Sequence, residues 1–315
     1  MHLSAQLGLL MLVATGVAML CARVRIPYTV GLVTAGVLLN ALPLGLTLQL
    51  SRELVFSLLL PPLVFEAALR LPWPELRRDL AVVMLLASAG VVLAAALTAA
   101  GMHYLAGWPV AGALLFGVLI AATDPVSVIA TFREARVGGR LALLVESESL
   151  LNDGTAAVLF TAGLVVGNSG RRLPMAEGGR AALESFWDYA AFVANSLIFL
   201  LIGRSLAQQP LAELLWPALL AIALVTAGRG IAVYPLCATF ARGPLAVERA
   251  HQHVLFWGGL RGALALALAL GLPEDLAGRN AIVTVTYAVV AFSVFAQGLT
   301  MGPLLRRLGQ VPAGR

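Results

Sequence analysis

Three polar side chains with helical spacing lie inside an apolar run that is long enough to cross a membrane. Ser149, Asn152 and Asp153 occur in the stretch LLVESESLLNDGTAAVLF. Residues three and four apart share one face of an α-helix, so this spacing brings a hydroxyl, an amide and a carboxylate within reach of one ligand. Such hard oxygen ligands suit a small hard cation or a proton. Asp153 is the titrating member, because burial favours its neutral form.

The alternative for these residues is a polar seam, that is, a row of side chains that hydrogen-bond to neighbouring helices and bind no ion. Ser and Asn are common in such seams, whereas an aspartate at mid-membrane is rare. An ionisable group at membrane depth costs at least ~2.5 kcal/mol even on the lenient insertion scale. The cost favours an ion site over a seam.

Two apolar segments are interrupted near their middles, one in each half of the chain. In AATDPVSV, Asp124 precedes a proline, which is the ordinary start of a helix with an aspartate cap. The glycines in FWGGLRGALALALALGL are the counterpart in the second half. A simple proline kink is the alternative for Pro125 alone. A pair of discontinuous helices indicates a secondary transporter with inverted repeats and a midplane site, lined by freed carbonyls such as that of Thr123.

Arg261 lies beside the glycine interruption and needs a buried acidic partner, because a guanidinium keeps its charge. We predict that Glu148 is this partner and that the pair is structural. Glu66 is either a second carboxylate at the ion site or a polar anchor near the membrane edge, and its cost at membrane depth favours the first. Arg229, in TAGRGIAV, is interpreted as a polar contact between helices.

These polar residues are exceptions in a strongly apolar chain. Of the 315 residues, 60% are hydrophobic and 12% are charged, and the mean hydropathy is +0.92. Apolar runs of about 18 to 27 residues match the length that a helix needs to cross roughly 30 Å of hydrocarbon. The expected fold class is an all-α polytopic membrane protein with about ten transmembrane helices. The predicted helices cover residues 3–22, 28–48, 53–70, 79–105, 109–132, 141–167, 186–206, 213–240, 251–271 and 280–301.

Arginines at the helix ends predict the orientation in the membrane. With the N-terminus outside, the cytoplasmic loops of the first half hold most of its arginines, and the opposite side holds Arg52. Strict alternation then puts the arginines of the second half outside, against the same rule. The arginines lie at the ends of apolar runs and are not interleaved with aromatic residues, which argues against nucleic-acid binding despite the net charge of +5.

Six stretches together resemble the monovalent cation:proton antiporters, the family with the prokaryotic NhaP-type and animal NHE-type sodium/proton exchangers. The stretches are LLPPLVFEAALRL (59–71), AATDPVSVIATF (121–132), ESESLLNDGTAAVLF (146–160), NSLIFLLIG (195–203), VLFWGGLRGALALALAL (254–270) and FAQGLTMGPLLRRLG (295–309). The resemblance implies a buried salt bridge between Glu148 and Arg261. It implies an ion site formed by the carboxylate of Asp153 together with Asn152, Ser149, Glu66, the Thr123 carbonyl and Asp124 close by.

The chain departs from the family's pattern after LLNDGTAAVLF. Members normally continue through further helices before a segment like GLVVGNSG, which follows at once here. Several central helices are therefore expected to be missing from the inverted-repeat antiporter fold. The expected organisation is a single transmembrane domain over residues 1–315, with the ion site in a first half at 1–160 and a partial second half at 161–315.

The resemblance implies exchange of Na⁺, or of Li⁺ or K⁺, for H⁺ by alternating access. Members with an asparagine before the key aspartate exchange one Na⁺ for one H⁺, so electroneutral exchange is expected. The alternative is a truncated, non-transporting relative that acts as a membrane scaffold. An intramembrane aspartyl protease using Asp124 and Asp153 is disfavoured, because neither has a GxGD context, and neither an enzyme nor a cofactor is expected. The expected location is multi-pass in the cell membrane, and a homodimer remains an open alternative.

Overall fold

The computed structural model describes residues 3–24, 26–124, 132, 137–152 and 177–311. These residues are mostly helical, and no strand occurs among them. π-helical turns at Leu54–Leu59, Leu86–Gly90 and Ser293–Gly298 extend three of the helices. The α-helices are α1 (Leu3–Val24), α2 (Tyr28–Asn40), α3 (Leu60–Arg70), α4 (Trp73–Leu85), α5 (Val91–Ala106), α6 (Val110–Ala121), α7 (Gly139–Asn152), α8 (Glu177–Leu206), α9 (Leu215–Ala238), α10 (Arg249–Trp257), α11 (Ala263–Leu270), α12 (Arg279–Phe292) and α13 (Leu299–Arg307).

Five helices among the described residues are long and apolar enough to cross a membrane. They are Ser4–Val24, Trp73–Ala106, Ala182–Leu206, Leu215–Ala238 and Arg279–Arg307. The 34 residues of Trp73–Ala106 form one continuous helix through the π-helical turn. At ~1.5 Å per residue this helix exceeds the ~30 Å hydrocarbon layer, so its charged first turns extend beyond the apolar region. The predicted fold class of an all-α polytopic membrane protein is confirmed.

The predicted helix over residues 28–48 is too long, because α2 ends at Asn40 and non-helical backbone follows it. Pro43 offers no N–H for a continuing helix, and Gly45 takes a left-handed φ of 61°. Leu46 and Leu50 beyond Gly45 are buried and Leu48 is half-buried, and these leucines prolong the apolar run in the sequence. Burial of an extended segment gives the same hydropathy signal as burial of a helix.

Two polar side chains form hydrogen bonds with the backbone of residues 46–48, in the non-helical segment after α2. The carboxamide oxygen of Gln6 on α1 accepts hydrogen bonds from the N–H groups of Thr47 (2.9 Å) and Leu48 (3.0 Å). Arg204, at the end of α8, donates to the carbonyls of Leu46 and Leu48. Buried backbone groups need such partners when no helix supplies them.

Helices α2 and α8 approach each other through glycines. A Cβ on Gly36 of α2 would lie 3.0 Å from the Cα of Gly203 on α8, and a Cβ on Gly203 would lie 2.8 Å from the Val33 carbonyl carbon. Neither position has room for a side chain. Small residues of this kind let membrane helices pack backbone against backbone.

Long-range polar contacts show which helix ends lie together. Arg70, at the end of α3, forms an ion pair with Asp188 in the first half of α8. Arg140, at the start of α7, bonds Asp79 near the start of α4 and the carbonyl of Ala246, shortly before α10. These contacts define one end of the molecule, the arginine-rich end, where α4, α7, α8 and α10 begin.

The segment around Ala246, which lies between Arg242 and Arg249 of the second half, is therefore at the same end as Arg140. Helices α7 and α8 both begin there, and α8 ends at the opposite end, where Arg204 bonds Leu46 and Leu48. Because α7 and α8 begin at the same end, simple alternation does not hold between these two helices.

Candidate ion-binding site

The two predicted interruptions are present and they contact each other. Helix α6 ends at Ala121, and non-helical residues separate α10 from α11. The N–H of Asp124 donates to the carbonyl of Leu260 (2.8 Å), and a carboxylate oxygen of Asp124 accepts from the N–H of Ala263 (3.1 Å). Arg261 donates to the carbonyl of Ala122 at 3.3 Å. The broken segments of the two halves thus satisfy one another's backbone groups inside the bundle.

Asp124 caps a helix in the other half of the chain. Its carboxylate bonds the first N–H of α11, where the positive end of the helix dipole favours a negative charge. The predicted cap on a helix that begins at Pro125 involves residues outside the described ranges. The local sequence could predict a cap only on the helix that follows Asp124 in the chain. The role of Asp124 as a cap on α11 arises because the two helix breaks pack against each other.

Two glycines of the motif GGLRG make room for charged side chains. A Cβ on Gly259 would lie 2.6 Å from Nε of Arg229, and a Cβ on Gly262 would lie 2.6 Å from Cγ of Asp124. A Cβ atom essentially never approaches another heavy atom this closely, so each glycine is required by a close approach. Neither glycine has a positive φ, and the requirement is therefore one of space.

We expect Gly262→Ala to destabilise the protein by about 1–3 kcal/mol, because the new methyl group displaces the Asp124 carboxylate from its cap. Thermal unfolding of the purified protein in detergent measures the loss. Gly16→Ala on α1 is the matched control, since a Cβ there meets nothing within 4 Å. Equal unfolding temperatures for the two variants would contradict the proposed crowding.

A compact cluster of uncharged polar groups lies beside the first break. The hydroxyls of Thr123 and Ser149 are 2.8 Å apart, and the amide nitrogen of Asn152 donates to Thr123 Oγ1 at 2.6 Å. The same nitrogen donates to Glu148 Oε1 at 3.4 Å, and Asn152 Oδ1 accepts from the Thr123 N–H at 3.4 Å. The structure thus brings together Thr123, Ser149 and Asn152. The i, i+3 spacing predicted that Ser149 and Asn152 share a helix face, whereas Thr123 joins them through its hydroxyl and N–H rather than through the predicted carbonyl. The amide N–H groups are used within the cluster, and oxygen atoms remain as potential ligands.

Glu148 forms a bidentate salt bridge with Arg229. The distances are 2.8 Å from Nη1 to Oε1 and 2.7 Å from Nη2 to Oε2. Arg229 also donates to the carbonyl of Leu255, from Nε at 3.1 Å and from Nη2 at 3.0 Å. The exposed fractions are 0% for Glu148 and 7% for Arg229. These hydrogen bonds offset part of the desolvation cost of such a pair.

The predicted pairing of Glu148 with Arg261 is therefore wrong. Arg261 belongs to the extended link before α11, and its guanidinium turns toward the Ala122 carbonyl. Within the described residues, its buried Nε has no hydrogen-bond partner. Arg229 lies in the middle of α9 between Gly228 and Gly230, and this glycine-flanked arginine in an apolar run was the available sequence signal.

Glu66 is buried on α3 and accepts a 2.6 Å hydrogen bond from Nε of Arg70, one turn nearer the arginine-rich end. Residues of α3 around it pack against Leu143 and Leu150 of α7 in one hydrophobic cluster. Glu66 thus lies on the helix that flanks α7, and its role as an ion ligand stays a prediction. Asp153 follows the last residue of α7 and lies outside the described residues.

This architecture is that of a multi-pass membrane protein with discontinuous helices that meet at a buried polar cluster. The family described as "Sodium/hydrogen exchanger, transmembrane" matches residues 8–171 and 159–307. The chain therefore belongs to the sodium/hydrogen exchanger family. The two matching segments overlap at residues 159–171, close to the expected join between the halves.

Curated relatives of this chain are named antiporters. The Na⁺/H⁺ antiporter ApNhaP of Aphanothece halophytica is 33% identical over 374 positions, covering 91% of this chain and 70% of the relative. The Na⁺/H⁺ antiporter NhaS2 of Synechocystis sp. is 33% identical and covers 95% of this chain and 69% of the relative. Because 374 aligned positions exceed the 315 residues of this chain, the relative carries internal residues that are missing here.

A solved structure shares the fold at low sequence identity. The sodium proton antiporter MjNhaP1 from Methanocaldococcus jannaschii, at pH 8, superposes with a TM-score of 0.73 at 15% identity. The match covers 96% of this chain and 97% of that chain. The helical arrangement is therefore common to both proteins.

Proposed function

We propose that this chain is a secondary active transporter that exchanges Na⁺, or Li⁺ or K⁺, for H⁺ by alternating access. The observation that carries the proposal is the cluster of Thr123, Ser149 and Asn152 beside the point where two broken helices meet. Oxygen ligands at a helix break in mid-membrane suit a small monovalent cation. Relatives named as Na⁺/H⁺ antiporters support the same class of substrate, and they are transporters rather than enzymes.

The charges around the cluster favour Asp153 as the carrier. Arg229 neutralises Glu148, Arg70 pairs with Glu66, and the start of α11 binds the carboxylate of Asp124. Each of these acidic groups thus already has a hydrogen-bond donor as a partner. Asp153 directly follows Asn152, and we propose it as the group that binds either the cation or the proton.

Competition at one carboxylate produces exchange. A carboxylate that holds a cation or a proton, but never both, returns across the membrane neutral in either case. One Na⁺ then moves for each H⁺, without net charge transfer. Exchange is therefore proposed to be electroneutral.

The organisation proposed for this activity is one transmembrane domain built from two halves, residues 1–160 and 161–315. The two family-matching segments, 8–171 and 159–307, support this division. We place the domain in the cell membrane, where exchange would contribute to pH homeostasis, either as a monomer or as a homodimer.

Purified protein in proteoliposomes tests the proposal. Vesicles with an acidic interior carry a pH-sensitive dye, and addition of NaCl, LiCl or KCl outside is expected to drive proton efflux. Efflux that is unchanged when valinomycin and K⁺ clamp the membrane potential indicates electroneutral exchange. Vesicles without protein give the background rate.

Two results would count against transport by this chain. Correctly folded protein could give only the background rate with all three cations. This result would favour a non-transporting membrane scaffold, an alternative that the missing internal segment supports. A rate that follows the membrane potential would contradict electroneutral exchange while retaining antiport.

A further inference from the structure

Arg140 joins three parts of the chain at the arginine-rich end. Its guanidinium bonds both carboxylate oxygens of Asp79, with Nη2 at 2.7 Å from Oδ1 and Nε at 3.1 Å from Oδ2. Nη1 donates to the carbonyl of Ala246 (2.6 Å), and Nη2 donates to that of Leu245 (3.0 Å). The start of α7 is thereby tied to α4 and to the loop between α9 and α10.

The position of Arg140 on its helix argues for a specific role. It is the second residue of α7, where the helix dipole disfavours a positive charge. Asp79, which is 4% exposed, provides the compensating charge, and the two carbonyls take the remaining donors. A planar guanidinium satisfied on several sides restrains both translation and rotation of the helix that carries it.

Apolar packing continues from this pair along α7 toward the ion-site cluster. Leu141, Leu144 and Val145 of α7 lie in one hydrophobic cluster with residues of α4, α9, α10 and α13. Ser149 follows Arg140 by nine residues, a distance of about 13 Å along the helix axis. Arg140 is too far along α7 to contact the ion site directly, and we expect it to act through the placement of α7.

We propose that Asp79 and Arg140 are positioning residues for cation binding. They fix the axial and rotational position of α7, and through it the placement of Ser149 and Asn152 against Thr123. The proposal rests on the proposed function, because its transport consequence is a change in the apparent cation KM. Its structural consequence, the restraint of α7, does not depend on transport.

The test compares Asp79→Ala, Arg140→Ala and the double variant in proteoliposomes. Each single variant leaves one charge unpaired and lowers the unfolding temperature, and the double variant recovers much of that loss. The apparent KM for Na⁺ is expected to rise about tenfold in all three, as for loss of groups that orient metal ligands. The maximum rate per folded protein should change less than the KM. Arg78→Ala, an exposed neighbour on α4, is the matched control.

Amide hydrogen exchange over residues 141–150 supplies a readout that is independent of transport. Faster exchange in the double variant than in wild type, with a raised KM, supports positioning. If both the KM and the unfolding temperature of the double variant return to the wild-type values, the positioning role is overturned. The pair would then matter only because each residue balances the other's charge. If wild-type protein shows no cation exchange, the proposed function fails, and amide exchange still decides whether the pair restrains α7.

Discussion

Replacing Asp153 with asparagine is expected to abolish cation-dependent proton movement. Asparagine keeps the size and the hydrogen-bonding capacity of aspartate but neither binds a proton in this pH range nor carries the charge that attracts a cation. Removal of the carrier group leaves no coupled exchange, so the rate in proteoliposomes falls to that of protein-free vesicles. The loss is expected with Na⁺, Li⁺ and K⁺ alike.

Asp275→Asn is the matched control for this variant, because it makes the same chemical change on an exposed loop between α11 and α12. Its exchange rate should equal that of wild type. Normal exchange by Asp153→Asn would show that another group carries the proton. The single-carboxylate mechanism would then be abandoned.

Removing Arg229 is expected to be among the most destabilising single changes in the protein. Arg229→Met leaves the fully buried Glu148 without its counter-ion, and breaking a buried pair in this way costs about 3–5 kcal/mol. Glu148→Leu is expected to be similarly destabilising, because it leaves the buried Arg229 without its counter-ion. The double variant should be more stable than either single variant, because no uncompensated charge remains. Unfolding in mixed SDS micelles gives the four free energies of this cycle.

A second cycle with Arg261→Met in place of Arg229→Met tests the assignment of the pair. Glu148 and Arg261 form no hydrogen bond in the structure, so their coupling energy should be the smaller of the two. Stronger coupling to Arg261 would restore the pairing that the sequence alone suggested.

Sequence predicted those parts of the site that depend on neighbours within one helix. The i, i+3 spacing of Ser149 and Asn152 has the same geometric meaning in any α-helix, and their predicted association is present. The interruptions after Ala121 and before Ala263 were also predictable, because proline and glycine act through the local backbone. The same holds for the fold class, which follows from the length and composition of apolar runs.

Contacts between distant helices could not be predicted in the same way. Sequence offers two arginines, Arg229 and Arg261, as partners for Glu148, and only the packing of α9 beside α7 decides between them. Likewise, the reason for Gly259 becomes visible only when Arg229 is known to lie against it. The non-helical segment after α2 has the hydropathy of a helix, because hydropathy indicates burial and not backbone conformation.

The close contact between α2 and α8 has a consequence for biogenesis. Helix α2 has 13 residues, about 20 Å of helix, which is shorter than the ~30 Å hydrocarbon layer. Helix α8, which packs against α2 through glycines, lies more than 150 residues later in the chain. A ribosome adds ~5–20 residues per second, so α8 is synthesised several seconds or more after α2. During this interval α2 lacks the surface that completes it. We therefore expect α2 to reach its final packing only after α8 has been synthesised.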